Sequence, residues 1–301
     1  MYDFEGDRAP DTTDSSGRAA PASDAPSGGG HGAPPIALTA LEFPRFLGEY
    51  AASRALDLAS LPLAAAPRLN LPIAGPRDVG RGRPVLVLPG FAANDHLTGR
   101  LRSHLRGRGF AVHGWGLGRN IGLTDQLVDG LTARFLGVAE RFDEPVSIVG
   151  WSFGGVLARR LAHEHPDRVA RIVCLGSPWR ADGERTRATA MFERSRVKHG
   201  ISDRALEIVT RLREPVPVPT TAIYSRTDGV VPWRGCRVDE RPASPGPLAE
   251  NVEVISSHVG LVSNPLVLRQ IVARLAADTS SDGPGGTDEP PVGATPLRAA
   301  R

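Results

Sequence analysis

Between Arg83 and Leu275 the chain sets short unbroken apolar runs between longer segments whose apolar residues recur at helical spacing. The runs are Pro84–Leu88, Gly109–Trp115, Val146–Val149, Val169–Leu175, Pro219–Tyr224 and Val252–Ile255. An unbroken run of this length is the mark of a strand buried on both faces. The segments between them predict helices over about His96–Arg106, Leu123–Phe142, Gly154–His165 and Pro265–Leu275. Strand and helix in strict alternation imply βαβ units, a mostly parallel sheet and right-handed crossovers. The fold class expected is therefore α/β, one domain over residues 36–277.

The flanks read differently. Residues 1–35 and 278–301 are built from Asp, Ser, Thr, Pro and Gly with few large apolar side chains, so two disordered tails are expected. Leu41–Leu61 predicts one helix or two short ones, with Pro44 suited to a helix start, followed by a proline-rich linker through Pro72. Residues 36–80 are thus a helical extension, either packed on the domain or an amphipathic flap at its mouth. Residues 179–213 are charged and lack strand character. Met191, Phe192, Ile201, Leu206 and Leu212 punctuate them at helical spacing, which predicts a small helical insertion.

Composition narrows the function classes. The net charge is +3, and Lys198 is the single lysine among 36 basic residues. The arginines are interspersed with acids; the densest group, Arg100, Arg102, Arg106 and Arg108, reads as a solvated helix face, so nucleic acid is not an expected partner. No apolar run approaches a membrane span, and Met1–Glu5 opens no basic-then-apolar leader, so a cytoplasmic protein is expected. Cys174 lies in a core strand and Cys236 in a loop; whether they pair stays open at this point.

The chemistry centres on Gly150-Trp151-Ser152-Phe153-Gly154, between a strand and a helix. A serine at such a junction sits on a sharp turn that exposes its hydroxyl as a nucleophile. A side chain at Gly150 or Gly154 would collide with the neighbouring strand or helix. Acyl transfer also needs a base, a group that orients the base, and donors for the oxyanion. Asp228, after the strand ending at Tyr224 and beside Gly229, is the expected acid; Asp203 and Asp239 lack that strand-end position. His258, after the last strand, is the expected base. Position disfavours the other histidines, although His96 lies near enough to reach substrate. The order Ser152, Asp228, His258 is the one this architecture requires. Phe153 N–H and Phe91 N–H are the expected oxyanion donors, with Gly90 allowing close approach. Trp115, Trp151 and Trp179 fall at strand ends or beside the serine and, with Gly90, are candidates for an apolar acyl pocket.

Metal and dinucleotide chemistry find little support. His163 and His165 stand two apart and point to different helix faces. The glycines of Gly114–Gly118 lack the G-x-G-x-x-G spacing. No cofactor and no metal are expected.

These motifs resemble the α/β-hydrolase superfamily, in particular bacterial esterase- and lipase-like serine hydrolases, over about Arg83–Leu275. Gly150–Gly154 is similar to the nucleophile elbow and Leu88–Phe91 to the oxyanion loop. Thr227–Pro232 is similar to the acid loop and Ser257–Gly260 to the base loop. Pro89-Gly90 stands where many members have His-Gly. The resemblance implies a mostly parallel sheet flanked by helices, a small helical cap over 179–213, and hydrolysis of a carboxylic ester of small-molecule or lipid type through an acyl-enzyme. It also implies the neighbouring possibilities of acyltransferase, thioesterase or amidase chemistry, and transient contact with a lipid interface. A hydrolase-shaped binding protein without turnover is the non-enzymatic alternative. Acyl length, alcohol group and oligomeric state are not legible from these residues.

Overall fold

The structure, a computed structural model, describes residues 36–63, 78–179, 214–238 and 249–277. The two expected tails, most of the linker and all of the expected cap beyond Trp179 lie outside the described residues.

Six strands form one sheet: β1 (Pro84–Leu88), β2 (Ala111–Gly114), β3 (Val146–Trp151), β4 (Val169–Leu175), β5 (Thr220–Tyr224) and β6 (Ala249–Glu253). Their order is β2-β1-β3-β4-β5-β6, and every neighbouring pair is parallel. Helices α1 (Ile36–Leu63), α2 (Gly99–Arg106), α3 (Asp125–Ala139), α4 (Phe153–Glu164) and α5 (Pro265–Ala276) accompany it.

Side chains on a strand alternate between faces, and the core divides accordingly. Leu86, Leu88, Ile148, Ile172 and Cys174 pack with Leu131 and Phe135 of α3 and Leu157 and Leu161 of α4. Val85, Val87, Val149, Val173 and Ile223 pack with Leu101 and Leu105 of α2 and Leu268 and Ile271 of α5. Both faces of β1 and β3 are therefore covered, which is why their sequences read as unbroken apolar runs. Helix starts follow their caps: the Thr124 hydroxyl accepts the Leu127 amide, and the Asn264 side chain accepts that of Leu266 with Pro265 in the first turn.

Two expectations need correction. The last strand is Ala249–Glu253, not Val252–Ile255. It is an edge strand bonded only to β5 and partly exposed along its length, so it carries Glu250 and Asn251 in place of an apolar run. Pro44 lies eight residues inside α1 rather than at its start. Both Pro44 and Ala40, whose carbonyl loses its amide partner, are on the exposed side, where water replaces the missing bond.

The chain leaves β1 toward β2 on one side and returns to place β3 on the other. The direction of winding thus reverses between β1 and β3, and the carboxyl ends of strands at such a switch point are where sheets of this kind hold ligands. The loops after β1 and β3 are the ones carrying Phe91 and Ser152.

Replacing fully buried Leu157 with Ala is expected to lower the unfolding free energy by about 2–5 kcal/mol in urea titrations of the full chain. Leu266→Ala, on the 53% exposed position of α5, should change it by no more than about 0.5 kcal/mol. Equal losses at the two positions would contradict the packing described.

Candidate active site

At the end of β3 the backbone must reverse into α4 within one residue. Ser152 makes that reversal with φ 53° and ψ −121°, a strained conformation for a residue with a Cβ. The neighbours hold it there. Its amide donates to the Leu175 carbonyl at 2.8 Å, and its carbonyl accepts from Gly155 N–H at 3.0 Å. A Cβ on Gly150 would strike the backbone of Gly154 and Gly155, and one on Gly154 would strike the end of β1 at Leu88. Helix against strand and strand against helix, the two contacts match the collisions expected from the sequence.

Asp228 and His258 come together in the buried space beside the elbow. Asp228 follows β5 and His258 follows β6, adjacent strands, so their loops emerge side by side. The Asp228 Oδ2 to His258 Nδ1 distance is 2.7 Å, with only 3% and 4% of the two residues exposed. The other carboxylate oxygen accepts the Val230 and Val231 amides, both at 2.8 Å. The carboxylate is thereby fixed in one orientation, and its contact with Nδ1 leaves Nε2 as the ring's other nitrogen. Burial favours the neutral ring and is the largest single influence on it. The Asp228 charge and hydrogen bond, with a smaller contribution from the Glu42 charge, together outweigh burial and hold the imidazole above the ordinary histidine range.

Trp151 links this pair to the serine. Its indole N–H donates to the His258 carbonyl at 3.0 Å, and its ring stands 5.7 Å from the imidazole. Gly176, after β4, has positive φ and closes the gap from below: a Cβ there would lie 3.1 Å from Asp228 Oδ2 and 3.2 Å from His258 Nδ1.

The loop after β1 lies against the elbow. A Cβ on Gly90 would be 3.1 Å from the Ser152 Cβ, and the Phe91 and Phe153 rings meet edge to face at 6.2 Å. Phe153 opens α4, so its amide lies at the positive end of that helix. Sequence reasoning missed what shapes this loop. Asn120, fully buried, donates to the Pro89 carbonyl at 2.9 Å, and its backbone exchanges hydrogen bonds with Ala92 and Ala93. Arg119 Nε donates to the Ala92 carbonyl at 3.0 Å, and Ala92 itself has φ 62°. The signal available was a lone amide side chain closing the glycine-rich Gly114–Gly118 stretch. It reads as a loop residue because its partner is 31 positions away.

The three tryptophans are engaged within the protein. Trp115 is fully buried in the core and donates to the Gly118 carbonyl at 2.9 Å. Trp179 packs on the same core cluster, with the buried Arg159 guanidinium 4.2 Å over its ring. Both cysteines are buried and free. Burial pushes the Cys174 thiol up to about 12 and that of Cys236 well above its ordinary value, so neither is a nucleophile near neutral pH. Asp203 and Asp239 lie outside the described residues. Among the described residues no group of three acidic, His or Cys side chains could hold a metal ion, and no helix is long and apolar enough to cross a membrane.

A parallel sheet wound about β1 and β3, with a strained serine turn after β3 and a buried Asp–His pair from the loops after β5 and β6, defines an α/β-hydrolase fold. The chain carries that fold and resembles the bacterial esterases and lipases built on it. A family model described as the alpha/beta hydrolase fold matches residues 141–200, which include the elbow. Two pimeloyl-[acyl-carrier protein] methyl ester esterases of Neisseria meningitidis serogroup B are 32% identical over 91 residues, 22% of this chain. The match spans about a third of their length, 34%. Among solved structures, a metagenome-derived lipolytic enzyme is 20% identical, with 66% of this chain and 95% of that chain covered and a TM-score of 0.47. The monoacylglycerol lipase of Paleococcus ferrophilus is 18% identical, with 65% and 96% covered and a TM-score of 0.48.

In the folded protein the His258 ring should titrate above 6.5 when followed by its imidazole NMR signals. Asp228→Asn removes the charge that opposes burial and should lower the midpoint. A midpoint at or below 6.5 in the wild type would contradict the pairing.

Proposed function

We propose that the protein is a serine-dependent carboxylic ester hydrolase acting through an acyl-enzyme. The observation that carries the reading is the buried 2.7 Å contact between Asp228 and His258 beside a serine held at positive φ. A buried, charge-stabilised imidazole beside a strained, half-buried serine has little structural use, and it is the arrangement that acyl transfer requires.

In this reading the Ser152 hydroxyl attacks the ester carbonyl while His258 Nε2 takes its proton. Asp228 keeps the remaining ring proton on Nδ1 and stabilises the imidazolium. The negative charge that develops on the carbonyl oxygen is met by the amides of Phe91 and Phe153. Their loops adjoin, as the contact of the two rings records. His258 then returns the proton to the departing alcohol. Water, activated by the same imidazole, cleaves the acyl-enzyme and regenerates the serine hydroxyl. Acyl transfer, thioester and amide cleavage share the first half of this sequence and differ in the leaving group or in the acceptor that replaces water.

The acyl group would sit at the crevice formed by Gly90, Phe91 and Phe153. Trp151 bears on it through the His258 loop that its indole holds, whereas Trp115 is sealed in the core and does not line it. The ester class is supported by the Neisseria relatives, which are methyl ester esterases by name. A cap over 179–213 and transient lipid contact belong to the same proposal.

A fluorophosphonate probe should label the wild-type chain at Ser152, and a chromogenic short-chain ester should give a burst of alcohol release. Ser152→Ala should lose the label and reduce turnover by at least about a thousand-fold with an unchanged circular dichroism spectrum. Label mapped to another residue, or ester turnover retained by Ser152→Ala, would overturn the assignment.

A further inference from the structure

Helix α1 is amphipathic in the reverse of the usual sense. The face it turns to the domain bears Thr39, Glu42, Arg45, Glu49 and Ser53, whereas Leu41, Phe43, Leu47 and Tyr50 are exposed. A helix that merely covers a core buries its apolar stripe. The partners of this polar face explain the reversal.

Glu42 is buried, 7% exposed. One of its oxygens accepts the Gly229 amide at 2.6 Å and the other the Val259 amide at 3.2 Å. These amides belong to the residues immediately after Asp228 and His258. One turn before, the Thr39 hydroxyl donates to the Gly229 carbonyl at 2.6 Å. One turn after, Arg45 donates to the Thr227 carbonyl at 2.5 Å and to its hydroxyl at 2.7 Å. Two turns after Glu42, Glu49 accepts the Ser257 amide at 2.7 Å and the Ser256 hydroxyl at 2.8 Å.

The two loops are shaped to receive the helix. A Cβ on Gly229 would lie 2.5 Å from the Leu38 carbonyl group of α1, and a Cβ on Gly260 would overlap the Glu49 carboxylate. Gly229 does not adopt positive φ. Its lack of a side chain serves the approach of α1.

We propose that Glu42 is a positioning residue for the acid–base pair, its one carboxylate bridging the amides that follow Asp228 and His258 and so fixing the two loops against each other. The inference rests on the reading of Ser152, Asp228 and His258 as the catalytic residues, and it makes α1 part of the active site. A buried carboxylate is tolerated only when its oxygens are bonded. The two charge-assisted bonds that satisfy Glu42 are therefore the same two that fix the spacing of the loops. Its charge also acts on the imidazole in the same direction as that of Asp228. The charged groups around the base are Asp228 on its own side, and Glu42, Arg45 and Glu49 from α1.

The test compares wild type, Ser152→Ala, Glu42→Gln and Leu47→Ala as full chains, with ester turnover measured from pH 5 to 9. Glu42→Gln removes the charge and turns an N–H toward one of the two amides. It should lower kcat by about 10- to 100-fold with KM within about twofold. It should also move the rising limb of kcat/KM to lower pH, because the imidazole loses a stabilising negative charge. Leu47→Ala, on the outward face of the same helix, should leave both unchanged. If Glu42→Gln loses its folded circular dichroism spectrum, Glu42→Asp takes its place: charge retained and reach shortened, it should lower kcat without moving the limb. Wild-type kcat and limb in Glu42→Gln, or wild-type kcat in Glu42→Asp, would overturn the inference while Ser152-dependent turnover still stands. A lowered kcat in Glu42→Gln with an unmoved limb and a fall in melting temperature would also overturn it. Turnover retained by Ser152→Ala would instead sink the triad reading and this inference together.

Discussion

The turn at Ser152 is the constraint on which the rest of the architecture depends. Strand β3 must end where α4 begins, with no residue between them except the serine. That is possible only because the strand end, the helix start and the end of β1 approach with no room for a Cβ at Gly150 or Gly154. Strain at one residue is offset by the packing around it. The hydrogen bond from Ser152 to the Leu175 carbonyl and the largely buried strands β1 and β4 on either side supply that packing. The elbow is thus a property of the sheet. Its order places the loops after β1 and β3 side by side, and the loops after β5 and β6 bring Asp228 and His258 together.

A second requirement is less visible in the sheet. Loops after parallel strands have no hydrogen-bonding ladder to define them, and both Asp228 and His258 stand on such loops. Each is defined here by bonds outside the sheet, some within its own loop and some from elsewhere in the chain. Asp228 is turned by the Val230 and Val231 amides, the His258 carbonyl is held by Trp151, and the neighbours of both are held by α1. The same device recurs at the loop after β1, where Asn120 and Arg119 fix carbonyls that no strand would satisfy. Polar side chains brought in from a distance stand in for regular structure around Ser152, Asp228 and His258.

This division accounts for what was legible in the sequence. The buried strands announced themselves because both faces are apolar, and Gly150–Gly154 because its glycines and serine are adjacent in sequence. The direct contact of Asp228 with His258 followed from strand-end position and chain order. Glu42 and Asn120 follow no periodic rule, since their partners are set by tertiary approach. The edge strand was misplaced because half-exposed Glu250 and Asn251 do not read as a strand, whereas Val254 and Ile255 beyond it do. Trp115 was grouped with the crevice from its strand-end position, but the strand carries it inward, with none of its surface exposed.

The reversed polarity of α1 also bears on the order in which the molecule can be assembled. Glu42 meets Gly229 across 187 residues of chain and Val259 across 217. Contacts of such separation carry the largest loop-closure cost and give little help to early folding. The neighbouring strand pairs β1–β3 and β3–β4 join segments much closer in sequence, so the sheet around the elbow can form while the final loops are still being made. The surroundings of Asp228 and His258 come later, since the bonds that tie Gly229 and Val259 to Glu42 form only when the first described helix folds back onto loops among the last described residues. A chain stopped before His258 would own the Ser152 turn and Asp228 without the imidazole that pairs with it.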